Sequence, residues 1–278
     1  MAVMAGNRAI ARLGGSGAAW MSAGFILLLV ATAILGPVIY GTNSPDTITM
    51  DVLAPPSSSA WLGTDELGRD VFQYIVYGTQ VSLHVGFSAA FAATLVGILF
   101  GALSGYVGGR LDMAVMRVTE IFQSMPNFVL AALIVALLGP GESRVIFVIA
   151  ALSWPQTARL MRGEVLRVKQ LEFVKAARCL GKSESQILFQ EVVPNCLAPV
   201  IAVGTLTIAQ AILLEASLSF FGLTNPDTIS WGRILTSGQR FIFQAWWLSL
   251  FPGLAIFLTV LAFNILGDAL RQAFDPKS

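Results

Sequence analysis

Six stretches of this chain contain no Asp, Glu, Lys or Arg: those between Arg12 and Asp46, Asp70 and Arg110, Glu120 and Glu142, Arg144 and Arg159, Glu191 and Glu215, and Arg240 and Asp268. A helix rises about 1.5 Å per residue, so crossing roughly 30 Å of hydrocarbon takes about 20 mostly apolar residues. Each stretch supports one crossing, and the pattern predicts helices over 18–39, 81–106, 122–138, 145–161, 197–223 and 246–266. Pro126 interrupts the third. The fourth is short, with Arg159 and Arg162 placed to snorkel from its end to the interface. The fold class that follows is all-α: a polytopic membrane protein with six transmembrane helices.

Composition agrees with a membrane as solvent. Only 12% of the 278 residues are charged, 55% are hydrophobic, and the mean hydropathy is +0.74, whereas a soluble domain carries about a quarter charged residues. A soluble enzyme is excluded as the default. A net charge of +1 offers no basic face for nucleic acid. Cys179 and Cys196 are too few for a disulfide framework or a metal site and read as packing residues.

Lys and Arg set the orientation. With the N-terminus inside, 13 of the 17 basic residues fall in cytoplasmic segments, leaving Arg69, Arg144, Arg233 and Arg240 outside. Both termini are then cytoplasmic. The expected organisation is a cytoplasmic segment 1–17, a first transmembrane helix 18–39, an extracytoplasmic loop 40–80, a five-helix core 81–268 containing a cytoplasmic loop 163–195, and a cytoplasmic tail 269–278. The apolar run of the first span exceeds the h-region of a signal peptide, so it reads as an uncleaved anchor.

Three local patterns refine this plan. Ala89, Ala93, Gly97, Gly101 and Gly105 recur every four residues and place five small side chains on one helix face, which predicts close packing against another helix. In the first loop, Thr64 is a candidate N-cap for a short helix with Leu67 onward on its apolar side, lying along the interface or capping the bundle. The third pattern is a concentration of charge, with 11 charged residues in the 33 from Arg159 to Glu191. Within it Phe173, Val174, Ala176, Ala177 and Leu180 form an apolar stripe. Gly181 is a helix stop, Ser183 a cap for a second piece carrying Ile187, Leu188 and Val192, and Pro194 closes that piece. Helix, glycine, helix, proline reads as a docking element, or as an amphipathic piece lying on lipid.

Tests for chemistry return little. Gly181-Lys182-Ser183 matches the end of a phosphate-binding loop, but the required glycine five residues earlier is Ala176. His84 is the sole histidine and falls in the second span, so neither a multi-His metal site nor a Ser-His catalytic pair assembles. No catalytic and no metal-ligating residue is expected. Glu215 is the one carboxylate well inside a span, either contacting a cationic substrate group or making a structural hydrogen bond to a neighbouring helix. His84 is read as a structural group facing the bundle interior or as a proton relay.

Several motifs then resemble one family. EFVKAARCLG over 172–181 followed by VVPN over 192–195 resembles the EAA loop of binding-protein-dependent ABC importer permeases. LGTDELGRD over 62–70, GYVGG over 105–109, EASLSFFGL over 215–223, SWG over 230–232, NILGD over 264–268 and DPK over 275–277 look like the C-type permease of the dipeptide, oligopeptide and nickel group. Lys175 stands where the EAA glutamate is expected. The resemblance implies a MetI-like permease fold in the bacterial inner membrane, with a homologous permease subunit, two ATP-binding subunits or a fused ATPase, and an extracytoplasmic solute-binding protein as partners. It implies no cofactor on this chain, with ATP and Mg on the partner ATPases. By the same analogy Glu172, Phe173, Lys175, Ala176, Ala177, Leu180, Gly181, Lys182 and Ser183 form the contact to the ATPase. As polar groups within the spans, Glu215, Ser219 and His84 are candidates for the translocation pathway. The rival from another class is an ion-coupled secondary carrier using Glu215 or His84, and a third is a membrane scaffold.

Overall fold

The computed structural model describes residues 17–39 and 51–274. The N-terminal segment with Arg8 and Arg12, positions 40–50 of the first loop, and Asp275, Pro276 and Lys277 lie outside the described residues. The described chain forms nine helices: α1 (Gly17–Ile39), α2 (Val71–Val107), α3 (Gly109–Gln123), α4 (Asn127–Leu138), α5 (Glu142–Val168), α6 (Glu172–Cys179), α7 (Glu184–Phe220), α8 (Trp231–Arg240) and α9 (Trp247–Phe274). Among these residues there is no strand, and a single isolated bridge pairs Thr64 with Asp70.

Helix α2 organises the rest. Its 37 residues span about 55 Å at 1.5 Å each, which exceeds the hydrocarbon thickness, so it projects beyond the apolar layer. It begins ten residues before the position expected from the charge map, and 71–80 is helix rather than loop. The cap explains this: Asp70 is extended and its carboxylate accepts from the Phe72 N–H at 2.8 Å. Thr64 is not a helix cap. Its hydroxyl donates to Asp51 O at 2.7 Å and accepts from Ala54 N at 2.8 Å, closing the loop on itself. The expected short helix is absent, and Asp65 instead closes a tight turn, accepting from the backbone N–H of Leu67 and Arg69 and from Arg69 Nε. This loop packs on the start of α9, where Trp247 Nε1 donates to Thr64 O at 3.1 Å.

The stripe of small residues faces α5. Ala89 and Ala93 are buried, and a Cβ on Gly97 or Gly105 would meet Thr157 Cβ at 2.5 Å or Arg162 O at 2.9 Å. Together α2 and α5 make the most extensive helix pair in the molecule. They run parallel, with His84 beside Glu142 at one end and Gly105 bonded to Lys169 at the other.

Among the described residues, four helices are long and apolar enough to cross a membrane: α1, α2, α7 and α9. The expected third helix over 122–138 is broken instead, because α3 and α4 meet at 89° around Pro126. Proline donates no hydrogen bond and disfavours helix in the residue before it, so the bend falls there. Counted as one span, the pair makes a fifth. Helix α5 has 27 residues, enough in length, yet Glu142, Arg144, Arg159, Arg162, Glu164 and Arg167 lower its apolarity. It is flanked by α2, α3, α4 and α7, and a helix shielded by protein need not match lipid. Pro194 does not close a piece before the fifth span. Helix α7 runs through it, with a π-helical segment at Ile187–Val192 shifting the hydrogen-bond register just before the missing donor. Helix α8 lies outside every expected span; the burial of Trp231, Ile234 and Gly238 at helical spacing is the signal that locates it.

Candidate functional site

The charge-rich segment folds into a compact lobe at the end of the bundle where α2 and α5 finish. After α5, Lys169 to Leu171 turn the chain and α6 follows for eight residues. Gly181 has φ +79, its N–H donates to Arg178 O, and the Lys182 N–H reaches back to Ala177 O at 3.3 Å. That pair of bonds is a Schellman stop, and only glycine takes this backbone without strain. Ser183 then starts α7 with a capping box: its hydroxyl accepts from Gln186 N at 3.3 Å and its own N–H donates to Gln186 Oε1 at 3.0 Å.

The apolar stripe divides into two faces. Val174 and Ala177 point inward, packing with Val168, Ile187, Leu188, Val192 and Cys196 in one buried cluster that also holds Ala102, Met161 and Val165. Each fully buried aliphatic side chain there contributes about 1.5–3 kcal/mol. Phe173, Ala176 and Leu180 point outward, with Leu180 82% exposed and Phe189 of α7 also open. Of the two alanines that the resemblance places in the ATPase contact, only Ala176 is on the open face; Ala177 seats α6 on its own bundle. A lobe that fastens itself with one face and leaves a second apolar face uncovered has the form of a docking element.

Charge in the lobe is internally paired. Lys175 Nζ is 2.9 Å from Glu172 Oε1, Arg167 NH2 2.6 Å from Glu164, and Lys182 Nζ 2.5 Å from Glu191. Lys175, at the position where the resemblance expects glutamate, thus takes an acidic partner one turn back on its own helix. Arg178 forks onto Glu184 at 3.0 and 3.1 Å, and the Tyr106 hydroxyl donates to the same carboxylate. Hydrogen bonds to Glu184 and Tyr106 push the Arg178 guanidinium still further above its ordinary value, so it stays charged.

The three pathway candidates lie at the opposite end and are not assembled into one site. Glu215 is buried: Ser82 Oγ donates to its Oε2 at 3.3 Å, and the Trp231 N–H donates to Ser82 Oγ at 3.4 Å. Ser219 shares a hydrogen bond of 2.7 Å with Ser230. This cluster ties α2, α7 and α8 together, which is the structural alternative for Glu215. His84 is not in the bundle interior. Its side chain is 60% exposed and its Nδ1 lies 2.5 Å from Glu142 Oε1. Replacing Glu215 with Ala is expected to cost about 1–3 kcal/mol by stranding the buried Ser82 hydroxyl, read as a lowered thermal midpoint in detergent. An unchanged midpoint would refute the structural role.

The fold and the lobe together describe a helical membrane protein with a compact lobe at one end whose outer apolar face is uncovered. Comparison with known proteins narrows this. The chain matches the model of the binding-protein-dependent transport system inner membrane component over residues 97–278. It is 40% identical to the dipeptide transport system permease protein DppC of Alkalihalophilus pseudofirmus, covering 91% of this chain and 83% of that protein. Identity is 38% to the glutathione transport system permease protein GsiD of Pectobacterium atrosepticum, over 91% and 85% of the two chains. With the probable D,D-dipeptide transport system permease protein DdpC of Escherichia coli it is 37%, over 98% and 92%. In fold it is similar to a chain of the inward-facing MetNI methionine ABC transporter, with a TM-score of 0.59 at 20% identity, covering 72% of this chain and 95% of that one. The chain belongs to the family of binding-protein-dependent transport system inner membrane components, the permease subunits of ABC importers.

Proposed function

We propose that this chain, with a homologous permease, forms the pathway by which an ATP-driven importer brings di- or oligopeptides into a bacterial cell. Relatives named for dipeptide, D,D-dipeptide and glutathione transport support a peptide-like substrate. Six spans with both termini cytoplasmic agree with the positive-inside count, with α3 and α4 as the broken third span and α5 as the shielded fourth. The lobe then lies in the cytoplasm, and its open face docks on an ATP-binding subunit that carries ATP and Mg. A solute-binding protein delivers substrate to the other end. Closure of the ATPase dimer moves the docked lobes, and the two permeases rock between inward- and outward-open states. This chain performs no covalent step.

The observation that carries the reading is the uncovered face of Phe173, Ala176 and Leu180 on a helix whose other face is anchored in the bundle. A built-in probe tests it, since Cys179 is exposed on α6 while Cys196 is buried. In membrane vesicles carrying the whole importer, a thiol reagent is expected to label Cys179 at least about tenfold more slowly than after the ATPase has been stripped. That factor corresponds to about 1.4 kcal/mol of protection. Equal labelling rates in the two preparations would overturn the docking assignment.

A further inference from the structure

We propose that Tyr106 is a positioning residue that ties the docking lobe to α2, so that motion of α6 is passed to the helix running the full depth of the bundle. The proposal rests on the reading of α6 as the ATPase contact. Tyr106 sits in the last turn of α2, next to the chain reversal at Gly108. Its hydroxyl donates to Glu184, the first residue of α7, and the same carboxylate is held by the Arg178 fork from α6. One carboxylate thus joins the corner between α6 and α7 to the end of α2, 78 residues away in sequence. Beside it, Lys169 Nζ donates to Gly105 O at 2.7 Å and links the end of α5 to the same turn of α2.

Several features make this a transmission element rather than a stabilising one. Arg178 and Glu184 are more than half exposed, where ion pairs add little to folding. The lobe already has a buried apolar cluster to hold it. The cluster already packs Ala102 of α2 against α6; what the clasp adds is a directional hydrogen-bonded link from Glu184 to the last turn of α2. Helix α2 in turn is locked to α5 along the stripe of small residues, so displacement at Tyr106 moves a rigid pair.

The test uses the complete importer in proteoliposomes, with ATP hydrolysis, uptake of a labelled dipeptide and Cys179 protection measured together. Tyr106→Phe keeps the ring and removes the hydroxyl. The expected result is wild-type Cys179 protection and thermal midpoint, with the ATP consumed per solute imported rising about 3- to 30-fold. Glu184→Gln should raise the ratio similarly, and adding Tyr106→Phe to it should raise it little further, because both act through one junction. An unchanged ratio in Tyr106→Phe with Cys179 still protected overturns the proposal while leaving the docking reading intact. Loss of the thermal midpoint in step with uptake would also overturn it, by making the hydroxyl merely structural. Absence of Cys179 protection in the wild type is the separate outcome that removes the docking reading beneath it.

Discussion

Gly101→Leu in α2 is expected to eliminate the folded subunit. A Cβ at this position points at the carbonyl oxygen of Ala158 and would also lie 2.8 Å from Met161 Cβ and 3.0 Å from Ala158 Cα. Two of these three atoms are α5 backbone, so no rotamer change relieves the overlap and the helices must part. Intrinsic helix propensity favours the substitution by about 1 kcal/mol. Overpacking opposes it by about 1–3 kcal/mol for a few extra methylenes in an ordinary core, and more where backbone is met. Separation would also loosen the neighbouring contacts at Gly97 and Gly105, against a total stability of only about 5–15 kcal/mol. Size-exclusion chromatography of the detergent-extracted subunit is the measurement, with loss of the monodisperse peak expected. Gly163→Leu in α5, where nothing lies within 4 Å, is the control expected to behave as wild type. A monodisperse Gly101→Leu subunit with an unchanged thermal midpoint would refute the assigned packing.

The second large effect separates the two faces of α6. Val174→Asp and Leu180→Asp each place a carboxylate on the same eight-residue helix or its cap, and both are expected to reduce dipeptide uptake to background, but for different reasons. Val174 is fully buried among Val168, Ile187 and Val192, where an unpaired carboxylate costs several kcal/mol. The lobe should open, and limited proteolysis should cut within 163–195. Leu180 is 82% exposed, and surface changes of this kind fall within about ±0.5 kcal/mol. Leu180→Asp should therefore match the wild type in thermal midpoint and protease resistance while losing Cys179 protection and uptake. Wild-type uptake by Leu180→Asp would remove the open face from the mechanism.

These contrasts show where residue patterns suffice. The four-residue spacing from Ala89 to Gly105 already implies a close helix neighbour, because small side chains on one face serve little else in lipid. Gly181 and Ser183 are equally legible, since stopping and starting a helix depend on a few adjacent backbone groups. Thr64 misleads for the same reason: its hydroxyl suits a cap, but Asp51 and Ala54 claim it, and that contact depends on how the loop closes. Asp70, a good cap in its own right, sits at the head of a charge-free run, and that signal was available for the true start of α2.

Other features lie beyond pattern reading. Phe173, Val174, Ala176, Ala177 and Leu180 are all apolar, and nothing in the order of side chains says which of them the protein covers with its own helices. His84 within a charge-free stretch reads as interior, yet its direction follows from the rotation of α2 that the small residues impose. The right-angle break at Pro126 is local, whereas the path of α4 after it is set by the surfaces of α5 and α7. By itself the sequence determined the solvent, the number of charge-free passes and the family, because hydropathy and motifs act through composition and short spacing. Tertiary structure alone decided which face of α6 stays open, where Glu215 finds the Ser82 hydroxyl and how the lobe is joined to α2, because each depends on groups up to 133 residues apart being brought within hydrogen-bond or van der Waals distance.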